Sequence, residues 1–255
     1  MHKETLMQMA SFTSPLDGKL YISGTFGEPR PNHYHSGLDF KTNQEIGKKV
    51  YAADAGYISR IKVSAYGYGH ALYMNHPSNL TTVYAHLDEF SEPIKQWVKS
   101  IQYELQSFEI DTVLKEKLFL FEKGDQIALS GNSGGSAGPH LHFELRNTYS
   151  EVAINPMAFL KVEDQTPPTI NQLRIYPIQN SFFDHKGIPV RLKPTSKNSW
   201  SGGFVEVPEG EIILSLQAFD QQDLTLNKNG IPTVKMFVNG QLVFLRQKDS
   251  INFSE

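Results

Sequence analysis

From Tyr21 onward, short runs of β-branched and aromatic residues alternate with polar ones and are interrupted by Gly, Pro and Asn. Runs of this length and composition are typical of β-strands. The clearest of them cover residues 49–53, 56–63, 70–76 and 81–87. Their close spacing predicts a mainly β domain built on an antiparallel sheet, over residues 13–161, after an N-terminal lead at residues 1–12.

One segment departs from this pattern. After Pro93, apolar side chains recur at the spacing of one face of an amphipathic helix, and proline is well suited to a first helical turn. These positions are Ile94, Trp97, Val98, Ile101, Leu105 and Phe108. The pattern predicts a helical insertion at residues 89–123, which would be a helical hairpin if Asp111 opens a second short helix.

A polar stretch with two prolines, residues 162–169, predicts a linker. Beyond it, strand-like runs at 170–176, 211–219 and 234–245 predict an immunoglobulin-like β-sandwich module over residues 170–255. Because the chain ends soon after the last run, this module is expected to be incomplete or to continue in a longer protein.

Composition narrows the possible functions. Apolar residues make up 39% of the chain and charged residues 20%, with a formal charge of −3. This balance is typical of a globular protein, and without a basic field nucleic acid is not an expected partner. No apolar run approaches the roughly 20 residues of a membrane span. The chain has no cysteine, so any metal must be held by His, Asp or Glu.

The strongest chemical signal is the pair His140 and His142 in a strand-like segment. Side chains two residues apart on a strand point to the same face, so the two imidazoles can converge on one metal ion. His35 and Asp39, with Gly37 between them, form a second ligand-type pair. A catalytic zinc site needs three protein ligands and an open position.

His86 ends a strand on which period 2 places it on one face with Tyr84 and Thr82. By itself it would be a strand-end imidazole bonded to a neighbouring carbonyl. Together with the two pairs above, however, it completes an inventory of three zinc ligands and two spare imidazoles. The residues alone do not decide which imidazoles bind zinc and which remain spare.

At these positions the sequence resembles the lysostaphin/LytM-type zinc endopeptidases, which cut peptide cross-links of bacterial peptidoglycan. The resemblance runs from about Phe12 to Leu160 and rests on several motifs in the expected order. They are Phe-Gly-Glu-Pro-Arg at 26–30, His-x-x-x-Asp at 35–39, Gly-Tyr-Gly-His at 67–70, Tyr-Ala-His-Leu at 84–87, and the segment from Ser130 to Glu144 that contains His-x-His.

The resemblance implies that His35, Asp39 and His142 bind Zn²⁺ and that His86 and His140 are catalytic. One of these two imidazoles would help to deprotonate the attacking water, and the other would stabilise or protonate the tetrahedral intermediate. It also implies that peptidoglycan peptides are the substrate. Because such an enzyme works on the cell wall, we expect an extracytoplasmic location, periplasmic or cell-surface, and a chain that starts after its leader.

Two other interpretations compete with that of a zinc endopeptidase. Gly131-Asn-Ser133-Gly-Gly135 fits the G-x-S-x-G nucleophile elbow, but that elbow lies between a strand and a helix, whereas here a Gly-rich loop and a strand follow. The second is a non-catalytic or self-inhibited module that binds cell wall or activates a hydrolase. In the self-inhibited form Asn32, the N-terminal stretch or the insertion would occupy the open zinc position.

The remaining residues of interest receive simpler assignments. His33, His76 and His185 are expected to make local structural hydrogen bonds. Tyr84 and Glu144 flank the motifs and are expected to support the ligating side chains. His70 stands where many relatives carry Asn. The insertion could shape or gate access of the substrate, or it could be a packing or partner-binding element.

Overall fold

A computed structural model describes residues 12–178 and 186–253 of the chain. The predicted lead at 1–12, except Phe12, and His185 lie outside these residues. The chain divides into two compact units, one formed by Met1–Glu163 with Pro232–Glu255 and the other by Asp164–Ile231. Each unit is antiparallel β-structure, which confirms the predicted fold class.

The first unit is built on a twelve-stranded sheet whose central path runs β1-β2-β10-β6-β5-β4-β7. Its strands are β1 Ile22–Gly24, β2 Leu38–Lys41, β3 Lys49–Tyr51, β4 Gly56–Val63, β5 His70–Asn75, β6 Leu80–Phe90, β7 Ile110–Val113, β8 Leu120–Phe121, β9 Gln126–Ser130, β10 His140–Asn147, β11 Ala153–Ile154 and β19 Ser250–Ile251. A short 3-10 helix, Pro156–Ala158, follows β11. Strands β2, β10 and β6 lie side by side, so motifs from distant parts of the sequence meet on neighbouring strands.

The two faces of this sheet have different surroundings. One face packs into the main hydrophobic core, where Phe40, Tyr84 and Phe143 are almost completely buried. The other carries a small apolar cluster of Ala71, Tyr73, Val83 and Ala85. Because central strands are buried on both faces, β6 reads as a nearly continuous buried run rather than as a clean alternation. The second face is the one that carries the polar residues of the groove.

Helix α1, Glu92–Leu105, confirms the helical periodicity after Pro93, which lies in its first turn. Ile94 and Val98 are buried against the core, and Trp97 and Ile101 pack beside them. The helix ends at Gln106, whose left-handed conformation (φ 49°) lets its N–H bond to Tyr103 O.

The second half of the predicted insertion is not helical. Asp111 opens no helix but lies in β7, where its carboxylate accepts hydrogen bonds from Arg60 Nε and Nη2 at 2.6 and 2.7 Å. Ile110 is buried in the same strand, and Leu118 and Leu120 are exposed rather than aligned on a helical face. The helical-hairpin prediction is therefore wrong: pairing with the edge of β4 competes with helix formation and wins.

The second unit contains a three-stranded sheet, β13-β12-β16, and a two-stranded one, β14-β15. Its strands are β12 Thr169–Pro177, β13 Ile188–Val190, β14 Lys193–Ser196, β15 Ser199–Ser201 and β16 Ile212–Phe219. The extra sheets agree with a β-rich module, and its immunoglobulin-like character stays a prediction.

The predicted strand at 234–245 forms a hairpin instead, with β17 Thr233–Val238 and β18 Gln241–Gln247. Asn239 and Gly240 both have positive φ, which two-residue hairpin turns require, so the Asn-Gly pair splits the run. Beyond the hairpin, β19 pairs with β11 of the first unit. The predicted domain boundaries stay a prediction, although residues 232–255 group with the first unit rather than with 164–231.

None of the helices in the described part of the chain has the length and apolar character of a membrane span.

Candidate metal and catalytic site

Three of the predicted site residues converge where β2 and β10 pair. His142 lies directly opposite Asp39 in the ladder, and cross-strand partners share a face. His35, in the loop before β2, completes a triangle with them. His35 Nε2 lies 3.0 Å from Asp39 Oδ1 and 3.0 Å from His142 Nδ1, and His142 Nδ1 lies 2.9 Å from Asp39 Oδ1. All three residues are buried.

Hydrogen bonds on the far side of each ring orient the two imidazoles. His35 Nδ1 lies 2.8 Å from Thr25 O and therefore carries the proton, which leaves a lone pair on Nε2. His142 Nε2 lies 2.9 Å from Glu144 Oε1 and donates to it, which leaves a lone pair on Nδ1. When both rings are neutral in these tautomers, two imidazole lone pairs and one carboxylate oxygen point at a common centre.

Such an arrangement fits a cation. Neutral imidazoles that donate their other N–H to a carbonyl or a carboxylate are the usual form of histidine in metal sites. Two His and one Asp are also the nitrogen and oxygen donors that zinc accepts, and three protein ligands leave a position open. The residues present therefore fit the metal that the sequence analysis expects.

Electrostatics favour a positive charge at this centre. Burial would raise the pKa of Asp39, but hydrogen bonds with His140, His142 and His35 outweigh it and hold the pKa well below its usual range. Burial would lower the pKa of His142, whereas its bonds to Asp39 and Glu144 raise it to about 9. The carboxylates that attract a proton to His142 also attract a divalent cation, so metal and proton compete for this ring.

A buried polar network stands behind His142. Glu144 is completely buried and accepts hydrogen bonds from Ser36 Oγ at 2.6 Å, from Arg146 Nε at 2.6 Å and from Tyr68 OH. Burial would raise the pKa of Glu144, but His142 and Arg146 hold it well below its usual range. Glu144 therefore keeps its charge inside the protein and fixes the orientation of the His142 ring.

His86 lies in the groove, but not as period 2 predicts. Strict alternation would place it with Tyr84 and Thr82, whose side chains face the core. Its ring centre instead lies 4.7 Å from that of His140 and 5.9 Å from that of His142. The face predicted for His86 is therefore wrong, and the reason is the backbone: His86 has φ +58° and the strand pairing shifts register beside it.

Backbone carbonyls hold both additional imidazoles. His86 Nδ1 lies 2.8 Å from Ser133 O, and His140 Nδ1 lies 2.8 Å from Gly138 O. Each Nδ1 therefore carries the proton, and each Nε2 is left as the acceptor. Burial lowers the pKa of His86 to about 4 although the bond to Ser133 O opposes it, so this ring is neutral near pH 7.

A groove of about 970 Å³ exposes this centre to solvent. Its lining includes all five predicted site residues together with Tyr68, and also the C-terminal residues 251–253. Asn32 and His33 line it as well, which places His33 at the cleft rather than in a purely local role. The pattern of apolar and polar positions gave no signal for Tyr68, whose ring stacks on His142 with 5.3 Å between ring centres.

Ser133 does not act as a nucleophile elbow. Its Oγ donates to Leu87 O at 2.7 Å and accepts from His70 N at 2.9 Å, so both partners that the structure gives it are backbone groups. The residue lies in the loop between β9 and β10 rather than between a strand and a helix. Ser133 thus serves to hold the chain around His86.

His76 and Tyr84 are structural, as expected for His76. His76 Nδ1 lies 2.9 Å from Ala55 O, and Nε2 lies 2.8 Å from Thr82 Oγ1. The Tyr84 hydroxyl accepts a hydrogen bond from Ala53 N at 2.8 Å on the core side of the sheet, so Tyr84 supports no ligand directly. Glu144, the other residue expected to support the ligands, does contact His142.

Comparison with known proteins agrees with this chemistry. Residues 33–103 match the model of peptidase family M23. An uncharacterised metalloprotease of Haemophilus influenzae is 33% identical over 152 residues, which are 60% of this chain and 26% of that protein. The peptidoglycan DD-endopeptidase ShyB of Vibrio cholerae is 29% identical over 153 residues, 59% of this chain and 29% of that protein. The resemblance inferred from the motifs is thereby confirmed.

The chain spans less than a third of the length of these curated relatives. Among solved structures, a zinc-containing peptidase from Vibrio cholerae is similar at 27% identity and a TM-score of 0.43, over 60% of this chain and 40% of that one. The catalytic domain of lysostaphin from Staphylococcus simulans is similar at 25% identity and a TM-score of 0.38, over 55% of this chain and 88% of that one.

Proposed function

We propose that this chain, which carries a domain of peptidase family M23, is a zinc-dependent endopeptidase that hydrolyses peptide cross-links or stem peptides of bacterial peptidoglycan. The observation that carries the proposal is the convergence of two imidazole nitrogens and one carboxylate oxygen, all within 3.0 Å of one another, beside the two further imidazoles of His86 and His140. A metal-binding module without catalytic function would not need the two additional rings.

His35, Asp39 and His142 would hold the zinc ion through Nε2, Oδ1 and Nδ1. When bound, zinc supplies a Lewis acid that activates water and polarises a peptide carbonyl at neutral pH. The protein keeps the ligands in place with Thr25 O behind His35 and Glu144 behind His142. The groove beside these three residues leaves room for substrate.

His86 and His140 would move protons at the reacting centre. In both rings Nδ1 donates to a backbone carbonyl, so Nε2 is the acceptor nitrogen of the neutral form. An acceptor nitrogen of this kind can take a proton from the attacking water and return it to the leaving amine. His140 Nε2 lies 3.5 Å from Asp39 Oδ1, so a proton acquired there is stabilised by that carboxylate.

The substrate class follows from the relatives. ShyB is named as a peptidoglycan DD-endopeptidase, and a second relative from Vibrio cholerae, ShyA, carries the same description and is 30% identical over 146 residues. An open groove suits an extended peptide better than a closed pocket would. A substrate in the cell wall requires the protein to act outside the cytoplasm, in the periplasm or at the cell surface.

The test is mass spectrometry of fragments released from defined cross-linked muropeptides. We expect cleavage of a peptide bond by the wild-type protein, loss of cleavage with a chelator, and recovery on adding zinc. His140→Ala should release no fragments above background. Equal release by wild type and His140→Ala, or cleavage that continues in the chelator, would contradict the proposal. Zinc binding without cleavage of any muropeptide would instead support the non-catalytic alternative.

A further inference from the structure

The two oxygens of Asp39 face different partners. Oδ1 points at the centre between His35 and His142. Oδ2 lies 3.0 Å from Arg30 Nη2 and accepts a hydrogen bond from it. A carboxylate can bind a metal through one oxygen or through both, and the second mode consumes an additional coordination position. The contact with Arg30 therefore bears on how many positions remain for water and substrate.

Arg30 is itself held in place. The same Nη2 lies 2.6 Å from Glu28 Oε1, so one guanidinium nitrogen bridges two carboxylates. Glu28 Oε2 accepts hydrogen bonds from Thr25 N at 2.9 Å and from Thr25 Oγ1 at 3.0 Å. The backbone of Gly24 leaves no space here, since a Cβ on this residue would lie 2.3 Å from Asp39 Oδ2.

The same contacts also reach His35, a second of the three proposed ligands. The carbonyl of Thr25 is the group that accepts from His35 Nδ1. Thr25 therefore orients His35 through its carbonyl, and Asp39 through Glu28 and Arg30. None of these residues faces the metal centre with a ligand atom, yet two of the three ligands depend on them.

We propose that Arg30 and Glu28 are positioning residues that hold Asp39 so that it binds the metal through Oδ1 alone. The inference rests on the metal site of the proposed function, but not on its peptidase activity. Glu28 has a second role. Its negative charge offsets the positive charge of Arg30, which would otherwise repel a cation bound nearby. Removing Glu28 alone should therefore also weaken metal binding, although Asp39 keeps its hydrogen bond.

The first measurement is the zinc dissociation constant, obtained by competition with a chromophoric chelator. Arg30→Gln should bind zinc about 10–100-fold more weakly than wild type, the range found when supporting partners of metal ligands are removed, because the loss of positioning outweighs the loss of the repulsion by Arg30. Arg30→Lys should lie between them, because lysine restores the charge but not the planar fork. The matched control is Arg60→Gln, which breaks another arginine–aspartate pair, that with Asp111, and should leave zinc binding unchanged.

A second measurement reports on the coordination mode. Cobalt(II) absorbs visible light more strongly in a four-coordinate site than in a five-coordinate one. If Arg30 keeps Oδ2 away from the metal, Arg30→Gln should show weaker cobalt bands than wild type, because Asp39 can then bind through both oxygens. Glu28→Gln, which leaves Arg30 on Asp39, should weaken zinc binding and keep the cobalt spectrum of wild type. If Arg30→Gln does not fold, the prediction for Glu28→Gln still tests the proposal.

Zinc affinity in Arg30→Gln and Glu28→Gln equal to that in Arg60→Gln would overturn the inference. Unchanged affinity and spectrum with a raised KM would mean that Arg30 contacts the substrate instead. Neither the zinc dissociation constant nor the cobalt spectrum depends on cleavage. Should no muropeptide be cleaved, a weakened zinc affinity in Arg30→Gln would still support the positioning role while the proposed activity failed.

Discussion

The groove contains two sets of imidazoles that the fold holds in different ways. His35, His142 and Asp39 are buried, and charged side chains hold two of the three: Glu144 lies behind His142 and Arg30 behind Asp39, while the carbonyl of Thr25 holds His35. His86 and His140 are held by backbone carbonyls of the Gly-rich loop between β9 and β10. The first set has the fixed geometry that a metal needs, and the second has rings that line the groove and are held through Nδ1 alone by the backbone.

The backbone around His86 shows what the second arrangement costs. A non-glycine residue at positive φ is strained by about 1–3 kcal/mol and persists only where its surroundings impose it. Here Gly69 and Ser133 impose it: the chain at Gly69 approaches Ser133 so closely that a Cβ would lie 2.4 Å from its Oγ. The positive φ of His86 turns its ring from the core side of the sheet to the groove.

Loss of a ligand is expected to have the largest effect. In His142→Ala, zinc should be lost together with all cleavage, because only two of the proposed ligands remain and Glu144 loses the ring that it orients. Metal content and muropeptide cleavage are measured on the same sample. His33→Ala is the matched control for metal binding, since it removes an imidazole that lines the groove outside the triangle, and it should keep zinc. A His142→Ala protein that retains a full equivalent of zinc would contradict the assignment of His142 to the zinc-binding set.

Removal of either additional imidazole should separate metal binding from catalysis. His86→Ala and His140→Ala should each keep zinc while kcat falls by about 10²–10⁴-fold, the usual contribution of a positioned acid or base. The measurements are zinc content and single-turnover cleavage. If either variant lost its zinc in proportion to its activity, that ring would belong to the ligand set.

The charge of Glu144 should matter for zinc affinity. Glu144→Gln keeps the shape of the side chain but weakens the bond that orients His142, so zinc should bind about 10–100-fold more weakly. The control is Glu151→Gln, because Glu151 also pairs with Arg146 but is exposed. Chelator competition distinguishes the two variants, and equal zinc affinities for both would show that Glu144 does not support the metal site.

The close approach between Gly69 and Ser133 offers a test of how the strained backbone of His86 is held in place. Gly69→Ala should displace the Ser133 loop and lower kcat while zinc is retained, because the new Cβ would overlap the backbone of Ser133. Gly67→Ala is the control: it also has positive φ, but nothing lies within 4 Å of its Cβ position. Both variants should lose about 1–2 kcal/mol of unfolding free energy from backbone strain. A Gly69→Ala variant as active as Gly67→Ala would mean that this contact does not hold His86.

His76 should affect stability rather than activity, and its contribution should decline in acid. Burial lowers its pKa below 6.5, so the unfolded chain binds a proton at this ring more readily than the folded protein does. Stability contributed by neutral His76 is therefore complete above pH 6.5 and declines as the pH falls below it. His76→Asn should show a smaller loss of unfolding free energy between pH 7 and pH 5 than wild type, measured by urea denaturation. A difference between the two proteins that is independent of pH would contradict this assignment.

The sequence predicts the residues of the groove better than their arrangement. Strand β10 could be read from the alternation around His140 and His142, and the pairing of β2 with β10 then brings Asp39 to His142. The orientation of His86 could not be predicted, because it depends on a positive φ that no periodicity reveals. Arg30 was visible only as part of a motif, since its contact with Asp39 depends on the path of the loop before β2.

The same limit explains the errors outside the groove. Asp111 follows a good helix and could open another by its residue type, but pairing with Arg60 at the sheet edge decides its conformation. The Asn239-Gly240 pair, in contrast, carried a local turn signal within the predicted strand. Tertiary contacts therefore overrode local preference in the first case, and a local signal was overlooked in the second.

The central claim is that one metal ion in the triangle of His35, Asp39 and His142 is what makes the groove an enzyme. The most direct measurement is a titration of the metal-free protein with zinc, in which bound zinc and the cleavage of a cross-linked muropeptide are followed together. We predict that cleavage is absent at the start, rises in proportion to bound zinc and levels off at about one ion per chain, as expected for a mononuclear site. Cleavage before any zinc is bound, or none when one ion is bound, would contradict the account.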